Sequence, residues 1–308
     1  MGDLPVESLT VSAIYRHYAE QSEERRPYLG ASELGEECRR ALWYGFRWVA
    51  RPNFPGRIKR LFETGHREEE RILDNLRAIG VRIEGTQEEI TFAQGHGKGH
   101  CDAVVLGLPD APKTWHLLEI KTANKTRYNE AIKKGPPEKH AVQMQIYMGE
   151  LGLTRAAYFM QCKDDDRLHL ERVEYDKKAH EAALRKANTI VQGEGLPGRI
   201  AKDRTFYKCK MCRWQMMCWD EVVPDVNCRT CSSGRPGGNG EWVCELGGCQ
   251  EYSQHLFIPS LLWWMKVTDR GPGWIRYGDT VTNVAKGVET SFPAATSFQL
   301  QRGDWIPF

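Results

Sequence analysis

The sequence predicts an α/β protein with a mixed central sheet flanked by helices, and three observations carry that expectation. A helical pattern over residues 56–79 places Ile58, Leu61, Phe62, Gly65, Ile72, Leu73, Leu76 and Ile79 on one stripe, at a period of about 100° per residue. Strand-like segments follow at 88–92, 100–108 and 115–122, and again at 155–162 and 168–175. Helical patterns at 139–151 and 177–191 interrupt them, so helices and strands alternate as in layered α/β folds.

In chain order, residues 8–20 read as a first helix, followed by a charged connector to Pro27. Ser32 is a suitable N-cap for a second helix that carries Cys38 and ends near Phe46. After the long 56–79 helix and the first three strands, a polar, Lys-rich stretch with Gly135-Pro136-Pro137 leads into the 139–151 helix. The strands at 155–162 and 168–175 are joined by the turn Lys163-Asp164-Asp165-Asp166. A Gly- and Pro-containing loop at 193–198 precedes a cysteine-rich region, and the last 50 residues hold short strand-like pieces among Gly, Pro and aromatics. The expected division is a domain over 1–224 and a smaller one over 225–308.

Composition narrows the class. The chain has 308 residues, 41% hydrophobic and 27% charged, enough for a sizeable core and unlike a disordered chain. Lys and Arg number 43 against 41 Asp and Glu, so any attraction to a polyanion must come from local clustering. No apolar run approaches membrane-spanning length, and the N-terminal residues lack the order of a secretion signal. The expectation is a cytoplasmic protein. Seven of the ten cysteines fall between Cys209 and Cys249, which in a reducing compartment is metal-site spacing.

Chemistry is concentrated in the strands. Asp102 opens one, and Glu119-Ile120-Lys121 lies on the next, where alternation puts Glu119 and Lys121 on one face and Ile120 in the core. If the two strands pair, the carboxylates approach each other and repel unless a divalent cation lies between them. Mg²⁺ or Mn²⁺ suits such oxygen ligands and suits phosphodiester hydrolysis, with Lys121 orienting the attacking water. Taken alone, Glu-x-Lys also fits a surface ion pair. Three features favour the site: the loop Gly95-His96-Gly97-Lys98-Gly99-His100, whose backbone can approach a ligand; His66 at the edge of the long helix's stripe; and Gln143 and Tyr147, four apart on one helical face. Glu69, within that same stripe, reads either as a helix-edge ion pair or as a residue supporting a cation.

Gly65-His66, Gly99-x-x-Asp102, Glu119-x-Lys121 and Gln143-x-x-x-Tyr147 resemble, in order and spacing, the RecB-like branch of the PD-(D/E)xK nucleases over roughly residues 30–220. The resemblance implies that His66, Asp102, Glu119 and the main-chain carbonyl of Ile120 bind Mg²⁺ or Mn²⁺. It implies that Lys121 is catalytic and that Gln143 and Tyr147 assist beside the two carboxylates.

Cys209-x2-Cys212-x5-Cys218 supplies three thiolates, and a [4Fe-4S] cluster needs four. One early cysteine, Cys38, with this triplet behind the core resembles the iron–sulfur staple of AddB and of CRISPR-associated RecB-like nucleases. A zinc ion on the same four thiolates is the alternative. Cys228-x2-Cys231-x12-Cys244-x4-Cys249 has the spacing of a zinc ribbon, with His255 as an alternative fourth ligand for Zn²⁺. Cys101 and Cys162 lie singly on strands and read as core residues.

Residues 121–139 carry a net +4 and residues 199–213 a net +5. Lys125, Arg127, Lys133, Lys134, Lys208 and Lys210 are therefore expected to track a phosphate backbone, with Tyr128, Phe206, Tyr207 and Trp214 placed to stack on bases. The combined expectation is a metal-dependent DNA exonuclease acting on ends or single strands in recombination, replication or repair. The resemblance suggests a phage member working in the host cytoplasm beside a recombination or replication partner. A structure-selective endonuclease and a non-catalytic DNA-binding module are the alternatives.

Overall fold

The structure is a computed structural model that describes residues 8–21, 25–51, 54–193, 195–220, 222, 224–225, 227–231 and 234–244, with the backbone of two further short strands. Its elements run α1 (Leu9–Glu20), β1 (Leu29–Gly30), α2 (Arg39–Phe46), α3 (Gly56–Ala78), β2 (Arg82–Glu84), β3 (Glu88–Phe92), β4 (Gly97–Cys101), β5 (Ala103–Leu106) and β6 (His116–Ala123). They continue through α4 (Lys125–Lys134), α5 (Glu138–Leu151), β7 (Arg155–Cys162), β8 (Leu168–Glu174), α6 (Lys177–Gln192), α7 (Tyr207–Lys210), α8 (Gln215–Trp219), β9 (Gly234–Pro236), β10 (Trp242–Cys244), β11 (Val281–Asn283) and β12 (Thr290–Phe292). The architecture is mixed α/β, as predicted. Among the described residues, no helix is long and apolar enough to cross a membrane.

The chain divides into two compact units. The first comprises Met1–Arg25, Pro52–Ile90 and Gly99–Glu181. Its five-stranded sheet has the order β2-β5-β6-β7-β8, with β6 and β7 parallel and every other pair antiparallel. Helix α3 covers one face, where Ile72, Leu73 and Leu76 pack on Leu118, Ile120, Ala157 and Phe159. The predicted stripe is shorter than its pattern, since Leu61, Phe62 and Ile79 are exposed. Strand β6 is buried on both faces through residues 116–120, so an apolar run is expected there. Glu119 is the carboxylate that breaks it.

Helix α5 covers the other face and is itself buried nearly all round, from Gln143 through Met148. Helix α4 occupies the stretch read from sequence as a polar connector. Only Tyr128 and Ala131 of its ten residues are buried, too few to give an apolar period. Its N-terminus is fixed instead by capping: Asn124 accepts from the Arg127 N–H at 3.0 Å, and Asp164 accepts from the Lys125 N–H at 2.7 Å.

The second unit comprises Arg26–Arg51, Thr91–Lys98 and Ala182–Phe308. Here β1 pairs in parallel with the start of β4, and β9 with β10 in a two-stranded antiparallel sheet. The second helix does not start after Ser32: residues 31–33 form a single 3-10 turn, and Cys38 is extended as the N-cap of α2. The Lys186 ammonium takes the Leu34 and Glu36 carbonyls at 2.8 and 2.6 Å, holding the segment between that turn and α2. Two buried arginines organise this unit. Arg47 donates to the carbonyls of Arg229, Gly234 and Gly193, while Arg229 donates to those of Phe46 and Pro27 and stacks on Trp48.

Candidate active site

Strand register builds the site in the first unit. The pairing Ala103↔Leu118 puts Asp102, at the bend between β4 and β5, beside Glu119, and Asp102 Oδ2 accepts the Ile120 N–H at 2.6 Å. Parallel pairing sets Tyr158 of β7 opposite Glu119. Lys121, two residues on and so on the same face, forms an ion pair with Glu119 Oε1. The sequence-based expectation that Asp102, Glu119 and Lys121 meet describes this geometry.

The electrostatics follow from burial. Glu119 is fully buried, and burial, with Asp102 and Glu69 adding and Lys121 opposing, pushes its carboxyl up to about 7. Asp102 is also shifted upward by burial, against the pull of Lys121. Burial disfavours the Lys121 charge, yet Glu119 and Asp102 outweigh it and hold the ammonium above its ordinary value. Two carboxylates thus share one ammonium. Glu119 Oε2 has no hydrogen-bond partner, an expensive state for a buried polar atom.

Helix α5 closes the face. Gln143 Nε2 donates to the Tyr147 hydroxyl at 3.2 Å, while Gln143 Oε1 is buried without a partner. A Cβ at Gly99 would collide with the Tyr147 hydroxyl, and one at Gly97 with the Phe92 ring. These glycines therefore serve packing inside β4, correcting the expectation of a ligand-binding loop. His66 is exposed on α3, within electrostatic reach of Asp102 and Glu69. Glu69 is half-buried and accepts from Gln87 Nε2 at 2.7 Å; burial first, then Asp102, raises its carboxyl. Sequence reading passed over Tyr158 and His140, whose Nδ1 lies 2.7 Å from the Tyr158 hydroxyl. A signal existed: His140 precedes Gln143 by three and Tyr147 by seven, one helical face.

Among the described residues, no three of His, Cys, Asp and Glu converge closely enough to ring an ion. The donor chemistry nonetheless fits a hard divalent cation: two buried carboxylates in excess over their ammonium, one oxygen unpartnered, and an imidazole nearby.

In the second unit, Cys38, Cys209, Cys212 and Cys218 lie within electrostatic reach of one another. Burial raises the Cys209 thiol, with Cys218 and Cys38 adding to it, and burial likewise raises Cys212, with Cys38 and Cys218 adding. The Trp214 N–H donates to Cys212 Sγ at 3.4 Å and Arg40 to Cys218 Sγ at 3.8 Å. These are soft donors near one another, and among the described residues no three of them converge closely enough to ring an ion. Cys228, Cys231 and Cys244 are similarly near, since the Cys228 thiol is raised by burial and then by the other two. Cys249 and His255 lie outside the described residues. Cys101 and Cys162 are buried core residues.

The basic residues divide. Lys125, Arg127, Lys133 and Lys134 are exposed on α4, with Lys134 paired to Glu130. Lys210 is exposed, but Lys208 is an ion-pair partner of Glu37. Of the aromatics expected to stack on bases, Tyr128 and Trp214 are buried, with Arg167 and Tyr44 respectively near their rings. Tyr207 is exposed.

No protein-family model matches the chain, and no curated protein matches it. Among solved structures it is similar to the alkaline exonuclease LHK-Exo from Laribacter hongkongensis, at 16% identity over 58% of this chain and 90% of that one, with a TM-score of 0.40. The complex of LHK-Exo with dAMP gives the same identity and coverage and a TM-score of 0.41. A phage-related exonuclease from Haemophilus somnus 129PT is 15% identical over 40% of this chain and 68% of that one, with a TM-score of 0.26.

Proposed function

We propose that the chain is a divalent-cation-dependent deoxyribonuclease, acting as an exonuclease on DNA ends or single strands. One observation carries this reading: Glu119, a fully buried carboxylate with an unpartnered oxygen, stands beside Asp102 and Lys121 in the middle of a sheet. A fold seeking only stability would place an apolar side chain there. His66, Asp102, Glu119 and the Ile120 carbonyl would hold Mg²⁺ or Mn²⁺, which supplies polarisation of a phosphate oxygen and a more acidic water.

The chain's own groups do the rest. Lys121 orients the attacking water and offsets negative charge growing on the phosphate. Gln143, whose amide nitrogen donates to the Tyr147 hydroxyl, assists with Tyr147 beside the two carboxylates. Lys125, Arg127, Lys133 and Lys134 of the first unit contact phosphates, and Lys208 and Lys210 are separate phosphate contacts on the second unit. Cys38, Cys209, Cys212 and Cys218 hold a structural [4Fe-4S] cluster. Cys228, Cys231 and Cys244, with Cys249 or His255, hold Zn²⁺ in a ribbon over 225–308. Recombination, replication or repair in a phage setting is the proposed context.

The test uses full-length protein purified anaerobically and incubated with end-labelled linear and closed circular DNA, single- and double-stranded, with Mn²⁺ or Mg²⁺. Linear DNA is expected to be degraded, and Lys121→Ala to abolish degradation. Cleavage of closed circles would make the protein an endonuclease. DNA binding without cleavage by a folded, iron-replete wild type would leave a binding module.

A further inference from the structure

The Tyr158–His140 couple has no place in the chemistry above, yet it sits against it. Tyr158 is fully buried directly across from Glu119, and its hydroxyl meets His140 Nδ1 at 2.7 Å. His140 shares a helical face with Gln143 and Tyr147, so α5 brings all three to the face of the sheet bearing Glu119 and Lys121. The hydroxyl is close enough to Lys121 and Glu119 to feel both charges. Burial, with Lys121 and Lys139 nearby, lowers His140 to about 4, and burial raises Tyr158, so both are neutral near neutral pH. Lysine can only donate. A bond from the ammonium would therefore use a lone pair of the phenol oxygen and leave the phenol proton for the imidazole.

We propose that Tyr158, held by His140, is a positioning residue that offers the Lys121 ammonium a second seat, so that Lys121 yields Glu119 to a divalent cation. This rests on the nuclease reading. Without the phenol oxygen, Lys121 stays on Glu119 and competes with the cation for it.

The experiment is calorimetric titration of Mn²⁺ into the full-length protein without DNA, taking Glu119→Gln as the baseline for binding elsewhere. Tyr158→Phe and His140→Leu are expected to weaken Glu119-dependent binding about tenfold, the scale of one hydrogen bond to a charged group. His140→Asn, which keeps a polar atom at the Nδ1 position, should bind nearly as the wild type does. In a Lys121→Met background, binding should tighten and Tyr158→Phe should have no effect. Wild-type affinity in a natively melting Tyr158→Phe protein overturns the proposal, as does an equal loss in the Lys121→Met background. Failure of the wild type to bind Mn²⁺ overturns the nuclease reading, and the proposal with it.

Discussion

The carboxylate pocket of the first unit and the thiol cluster of the second both bury groups whose ionised forms prefer water, and they do it by different means. Glu119, Lys121 and Tyr158 stand on adjacent, hydrogen-bonded strands and Asp102 at the bend that enters the neighbouring one, so register sets their spacing. Cys38, Cys209, Cys212 and Cys218 come from a helix cap, a four-residue helix, a turn and a five-residue helix. Short helices of this kind are marginal by themselves. The sheet-built site has its geometry before any ion arrives, at a cost in stability. The thiol site has no such lattice of strand bonds to set its spacing.

The sharpest way to break this contrast is Glu119→Gln. Cleavage of linear DNA should fall by about 10³-fold, the scale of losing a preorganised electrostatic group, while the melting temperature at about pH 8 holds or rises. A lower melting temperature would mean that Glu119 serves the fold. Next comes Cys218→Ser. It should cost about 3 kcal/mol or more through loss of a metal-linked fold, seen as lower iron content and an earlier melt. An unchanged melt would put the two sites in one class.

A third outcome concerns pH. Glu119 is raised in the folded state, so its contribution to stability is complete below the unfolded carboxylate range and is lost as pH rises through about 7. Between about pH 4.5 and 8 the cation-free protein should lose about 2–3 kcal/mol from this group, at about 1.4 kcal/mol per unit. Denaturant melts of the wild type should show this slope, and those of Glu119→Gln should lack it. The smallest effect is expected on α4. Lys125→Glu with Arg127→Glu should weaken DNA binding about tenfold and flatten its salt dependence by about two phosphate contacts, with turnover on saturating DNA retained.

Much of the fold was legible because it is written locally. Residues 88–92 and 155–162 form strands and α3, α5 and α6 form helices within a residue or two of the expected bounds, since their periods are set by neighbours a few positions away. The alternation in Glu119-Ile120-Lys121 and the spacing of Gln143 and Tyr147 were readable for the same reason. Helix α4 was not, because caps rather than an apolar period define it, and one of those caps is Asp164, 39 residues away.

The sequence by itself determined which chemistry-bearing residues are present, their order, and the faces they take within each element. Tertiary structure decided that Asp102 lies beside Glu119, that Tyr158 lies across from it with His140 behind, and that Tyr128 and Trp214 are buried. It also decided that Lys186 meets the Leu34 and Glu36 carbonyls in the segment before α2. The physical reason is range: periodicity and capping act over a turn or a strand, whereas register, burial and the fields that shift Glu119 and Lys121 come from segments tens of residues apart.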